Sequence, residues 1–120
     1  MNFIQKLKQP ESRKLEFKRE LPRKSDILKT IIAFANGGGG ELFIGISDHH
    51  REIIGVKDPL LLEEKISNMV FDGIQPFVSH FSSIMNIEGK PILVIKILPG
   101  MERPYYKKSE GVREGVYVRV

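Results

Sequence analysis

The sequence predicts an α+β domain: a mostly antiparallel, mixed sheet of about six strands with two main helices packed on it. Three observations predict it. Apolar residues recur at helical spacing in two stretches, Ile27–Leu28–Ile31–Ile32–Ala35 and Leu62–Ile66–Met69–Val70. Short apolar or alternating runs of strand length surround those helices. Glycine- and proline-rich turns punctuate the chain at Gly37–Gly40, Glu88–Gly89–Lys90 and Pro99–Gly100. The resulting order is strand, helix, two strands, helix, two strands, loop, strand.

Each element has its own signal. Phe3, Ile4 and Leu7 suit a short helix that Pro10 interrupts. Leu15 and Phe17 alternate with Lys14, Glu16 and Lys18, which indicates a strand with one wet face, ended by Pro22. Ser25 reads as the N-cap of the first main helix, with Asp26 in its first turn. Asn36 and Gly37 can take the left-handed conformation that stops that helix, and Gly37 to Gly40 allow a tight turn. Leu42, Phe43, Ile44 and Ile46 form a run expected of a strand covered on both faces. Two strands, 41–47 and 51–56, are joined by a polar turn at Asp48, His49 and His50. Asp58 and Pro59 read as N-cap and first residue of the second main helix, whose buried side extends to Ile74 before Pro76. Strands follow at 81–87 and 91–98, the latter with Ile92, Val94 and Ile97 on one face, and a last one at 115–120.

At 120 residues the chain reads as one domain, and its ending inside a strand-like pattern suits the N-terminal part of a longer polypeptide. No apolar run reaches the roughly 20 residues of a membrane span, and no signal-peptide pattern opens the chain. The absence of cysteine excludes disulfides, thiolate zinc sites and a cysteine nucleophile, and it fits the cytoplasm. The net charge of +4 is unevenly spread. Residues 1–30 sum to +5, residues 31–102 to −4 and residues 103–120 to +3. Two basic ends flank an acidic middle, and a basic surface attracts polyphosphate.

The glycine run does not read as a nucleotide loop. A P-loop needs a strand, glycines, and Lys-Ser/Thr opening a helix; here the helix precedes the glycines. A dinucleotide-binding turn fails for the same reason of order. Glu11, Glu16 and Asp48 form a trio of carboxylates that, if gathered, would suit Mg²⁺ or Mn²⁺ and a metal-activated water, although Glu16 among Lys14 and Lys18 also reads as a surface ion pair. His49, His50 and His80 read as turn and surface residues, and no serine sits in a nucleophile elbow. Tyr105, Tyr106, Lys107 and Lys108 form an aromatic-basic cluster in which rings could stack on bases while lysines meet phosphates, or pack on the sheet instead.

The motif Glu11 to Lys18, then IIAFANGGGG at 31–40, LFIGISD at 42–48, Ile54-Gly55-Val56, Arg103-Pro-Tyr-Tyr and GVYVRV at 115–120 resembles the Schlafen-type AlbA domain. The resemblance implies an α+β fold that binds nucleic acid, in bacteria and archaea as a DNA-binding or transcriptional-regulator module. Nothing in these residues supports the family's older label, divergent AAA ATPase. In vertebrate Schlafens three acids of this fold cleave RNA, and by motif position they fall on Glu11, Glu16 and Asp48. That nuclease uses two lobes and a zinc site; this chain has one lobe and no cysteine.

The leading expectation is therefore a cytoplasmic, prokaryotic nucleic-acid-binding module, for DNA rather than RNA, contacting phosphate through Arg13, Lys14, Lys18, Arg19, Tyr105, Tyr106, Lys107, Lys108 and Arg119. It would need no cofactor and no membrane, and it could pair with a second copy. The alternatives are a Mg²⁺- or Mn²⁺-dependent endoribonuclease using Glu11, Glu16 and Asp48, and a protein-interaction or oligomerisation domain.

Overall fold

The computed structural model describes residues 2–12 and 14–119. A short helix α1 (Phe3–Leu7) opens the chain, held by a capping box between Asn2 and Gln5. Strand β1 (Leu15–Lys18) leads into α2 (Lys24–Asn36), and β2 (Gly40–Ile44) returns parallel to β1, with Leu15 beside Glu41 and Lys18 beside Ile44. The helix supplies the crossover that a parallel pair requires. Helix α3 (Pro59–Gly73) runs directly into β3 (Ile74–Gln75). The hairpin β4 (His80–Ile87) and β5 (Lys90–Ile97) turns at Glu88 and Gly89, both at positive φ (54° and 76°), as a two-residue hairpin demands. Strand β6 (Tyr106–Lys107) pairs antiparallel with β3, and a single turn, α4 (Gly111–Glu114), follows.

Four strands make the main sheet in the order β1-β2-β5-β4, with β2 and β5 antiparallel; β3 and β6 form a second, two-stranded sheet. Both faces of the main sheet are covered, as the apolar run 42–46 requires. On one face Leu42, Ile44, Leu93, Ile95 and Ile97 meet Ile27, Leu28, Ile31, Ile32 and Phe34 of α2 and Ile66 and Val70 of α3. On the other, Leu15, Phe17, Phe43, Ile46, Ile92 and Val94 pack beneath Phe3, Leu7 and Ile53. Phe17 and Phe43 are register partners and stack at 5.2 Å. Strand alternation puts Ile97 on the face opposite Ile92 and Val94, which corrects the expected grouping.

Asp58 caps α3 as expected, its carboxylate accepting from the Leu61 N–H at 3.1 Å. Four other expectations are corrected. Ser25 lies inside α2, and Arg23 occupies the N-cap position. The left-handed residue of the glycine turn is Gly39 (φ 78°), not Asn36 or Gly37. Gly40 is needed for space: a Cβ there would lie 2.3 Å from the Phe34 ring. Residues 115–119 form no strand, and 51–56 contribute one isolated bridge, Ile46 to Ile53. Val120 lies outside the described residues.

Candidate nucleic-acid interface

The apolar stripe of α2 faces the sheet, so Ser25, Lys29, Ala33 and Asn36 share another face at spacings of four, four and three. The C-terminal part of the chain lies along that face. At its start the Lys107 ammonium donates to the Ser25 hydroxyl at 2.7 Å and stands 3.7 Å from Glu110. In the middle the Tyr117 ring is flanked by the ammonium groups of Lys29 (5.4 Å) and Lys107 (5.8 Å). Its hydroxyl donates to the Glu110 carboxylate, which lowers the pKa of Glu110 and raises that of Tyr117.

At the end of α2 the Asn36 amide acts as a two-sided staple. Its nitrogen donates to the carbonyls of Tyr105 (2.9 Å) and Tyr117 (3.0 Å), and its oxygen accepts from the Tyr105 N–H at 2.7 Å. Next to it Arg119 donates to Glu16 at 2.7 Å and to the Ser12 carbonyl at 2.6 Å, with its guanidinium 4.6 Å from the Phe34 ring centre. Glu16 also accepts from the Thr30 hydroxyl at 3.2 Å and lies 3.8 Å from the Lys18 ammonium.

Two open depressions flank this seam. One, of about 240 Å³, is lined by Lys24, Lys107, Lys108 and Ser109 with Asp72 on its wall. The other, of about 400 Å³, is lined by Lys14, Asn36, Gly37, Gly38, Val118 and Arg119. Lysines from the N-terminal part of the chain (14, 24 and 29) thus meet lysines from the C-terminal part (107 and 108) along one helix. That helix is ~20 Å long at ~1.5 Å per residue. Among the described residues, Lys14, Lys24, Lys29 and Lys108 make no ion pair.

The expected site residues do not share one surface. Lys14 and Lys108 border the depressions. Tyr105, Lys107 and Arg119 serve the interior. Tyr105 is buried (4 % exposed), with its hydroxyl accepting from the Glu102 N–H, so its ring is closed to base stacking; Lys107 is also buried, and Arg119 is committed to Glu16 and Ser12. Tyr106 is half-buried in β6. Lys18 leans on Glu16, and Arg19, beyond the far end of β1, lines a separate cleft of about 510 Å³ with Lys57 and Lys65. The basic run of β1 is therefore split between two sites. Arg13 lies outside the described residues.

Nor are the acids assembled. The Glu11 carboxylate accepts from the Phe17 N–H at 2.9 Å, and Glu16 is held by Arg119 and Thr30. Asp48 lies in the turn after β2, where its carbonyl accepts from Arg51. Among the described residues, no three His, Cys, Asp or Glu side chains are grouped to hold a metal ion. Sequence reasoning missed Lys24, Lys29, Ser25 and Tyr117. The signal was the row Ser25–Lys29–Ala33–Asn36 on α2, where one cation stands among small and amide side chains.

Fold and site together define a small α+β domain with a basic, helix-centred face. The family model described as Schlafen, AlbA_2 matches residues 11–120, and the chain belongs to that family. Among solved structures, the chain resembles the N-terminal domain of a Nitrosomonas europaea protein named for its relation to the ATP-dependent DNA helicase RecG. The TM-score is 0.69 at 24% identity, covering 92% of this chain and 80% of that one. It also resembles the DIP2311 protein of Corynebacterium diphtheriae, with a TM-score of 0.57 at 19% identity; there 81% of this chain corresponds to 20% of the other. Both likenesses concern the fold.

Proposed function

We propose that this chain is a nucleic-acid-binding module that lays a phosphate backbone along the exposed seam of α2. We assign it to DNA, as the DNA-binding domain of a bacterial or archaeal transcriptional regulator. The observation that supports this is the meeting of lysines from both basic ends on one helix face. Lys14, Lys24, Lys29 and Lys108 are the phosphate contacts; Lys107, Tyr117, Asn36 and Arg119 are the scaffold that brings the two chain ends together. The membership of the Schlafen AlbA_2 family supports nucleic acid as the ligand class, and the helicase-related name of the Nitrosomonas europaea protein supports DNA.

Contacts of this kind are largely blind to sequence and sensitive to salt. Four phosphate contacts correspond to about a 100-fold loss of affinity between 50 and 200 mM salt, from a slope of about −0.9 per contact. The experiment is fluorescence anisotropy on duplex DNA, single-stranded DNA and RNA. Charge reversal at Lys24 and Lys108 should weaken duplex binding by at least about tenfold, whereas reversal at Lys57 and Lys65, in the cleft beyond β1, should change it less than about twofold. Equal losses from both pairs would refute the assignment of the face, and tighter binding to RNA would refute the assignment to DNA.

A further inference from the structure

The two edges of the main sheet differ. Along the outer side of β1 the chain satisfies its own backbone: the Glu11 carboxylate takes the Phe17 N–H, and Ser12 exchanges main-chain hydrogen bonds with Leu15 at 3.0 and 3.4 Å. At the other edge β4 pairs with β5 alone among the described residues. Its eight residues keep unbroken register from His80–Ile97 to Ile87–Lys90, with no bulge. It contains no proline and, His80 aside, no ionisable side chain. The usual devices that keep an edge strand solitary are missing.

The phase of the hairpin fixes what this edge presents. The Leu98 N–H donates to the Ser79 carbonyl at 3.1 Å, so odd-numbered residues of β4 bond towards β5. The N–H and C=O groups of His80, Ser82, Ile84 and Asn86 therefore point outwards. On the strand Phe81 stands exposed (63 %), and Phe77 (64 %) and Met101 (94 %) are exposed near its start, around Ser79 and Leu98.

We infer that β4 is the interface of a two-fold homodimer in which two copies pair antiparallel along this edge and join their sheets into one of eight strands. An antiparallel strand can be its own partner. Centred on Ser83, the pairing sets Ser82 opposite Ile84 of the second copy, in phase with the outward hydrogen bonds, and Phe81 opposite Met85 on the same face. A second copy also suits the charge. β4 itself carries no lysine, arginine or carboxylate, so a chain of net charge +4 meets its copy along a strand where no lysine stands opposite lysine. The basic seam, beside β1 at the opposite edge of the sheet, stays open in both copies. The inference does not depend on the nucleic-acid reading.

Sedimentation equilibrium of the intact chain tests it, together with amide hydrogen exchange at two concentrations. The wild type should show the mass of two copies, with the Ser82 and Ile84 amides becoming more protected as concentration rises. Ser82→Pro removes an outward N–H and no bond to β5, and Ser83→Lys, at an exposed position, places two like charges directly opposite each other at the two-fold axis. Each should halve the mass and abolish that extra protection, while the far-UV circular dichroism persists. Ser83→Lys serves as the folding-neutral variant should the proline disturb β4. A wild type that stays at the mass of one copy overturns the inference, including the case in which the β4 amides are already protected by another segment. So does a dimer that survives both substitutions.

Discussion

Asn36 shows how much one side chain can organise. Its amide offers a donor and an acceptor in one plane, as a strand backbone does, and the C-terminal segment reads it as a neighbouring strand. Asn36→Ala leaves the Tyr105 N–H and two carbonyls without partners. It should cost about 2–4 kcal/mol in urea unfolding, from the cost of unpaired polar groups. Asn36→Asp should not restore stability, because two carbonyls would then face a carboxylate. Arg119 behaves similarly. Its planar fork reaches Glu16 and the Ser12 carbonyl at once, a geometry that lysine cannot copy. Arg119→Lys should cost about 1–2 kcal/mol by the same measurement. Neither role was legible in the sequence, since the partners lie 69 to 107 residues away. As a lone letter Arg119 reads as a phosphate contact, and Tyr105 as a stacking ring.

At the scale of elements, local chemistry was readable and distant competition was not. The Asp58–Pro59 start of α3 and the Glu88–Gly89 turn of the hairpin are set by groups within three residues, and both form where the sequence puts them. Ser25 looked equally like a cap, but its hydroxyl is taken by Lys107, 82 residues on. The alternating run at 115–119 looked like a strand, yet side chains of α2 and β1 hold it in place of a ladder. The link between α4 and that run also predicts a pH dependence. Glu110 has a lowered pKa, so its contribution is present above the ordinary carboxylate value and lost as pH falls through the lowered one. Tyr117 has a raised pKa, so its contribution is present below about pH 10 and lost as pH rises through the raised value. The stability advantage of wild type over Tyr117→Phe, followed by thermal melts, should be a plateau between about pH 5 and pH 10 that shrinks on both sides.

For the whole molecule, charge mattered more by placement than by sum. In space the two basic ends come together through residues the sequence did not single out, Lys24 and Lys29, while Arg19 is turned to another cleft. A strand's worth of lysines cannot be assigned to one surface until the helix beside it is placed. The same view gives a test of the seam as scaffold. Ser25→Ala removes the hydroxyl that Lys107 holds and should loosen the C-terminal segment. The expected result is a DNA affinity lowered about two- to fivefold at constant salt slope, because a scaffold bond of about 0.5–1 kcal/mol is lost and no phosphate contact is removed.

The closure between Glu16 and Arg119 joins positions 103 residues apart. During synthesis, a nascent chain still short of that arginine leaves Glu16 with only Thr30 and Lys18 as partners and the lysine face half built. The proposed face should therefore become competent abruptly, once Arg119 has cleared the ribosome, and a chain not yet extended to that arginine should have little hold on the polyanions crowded around it.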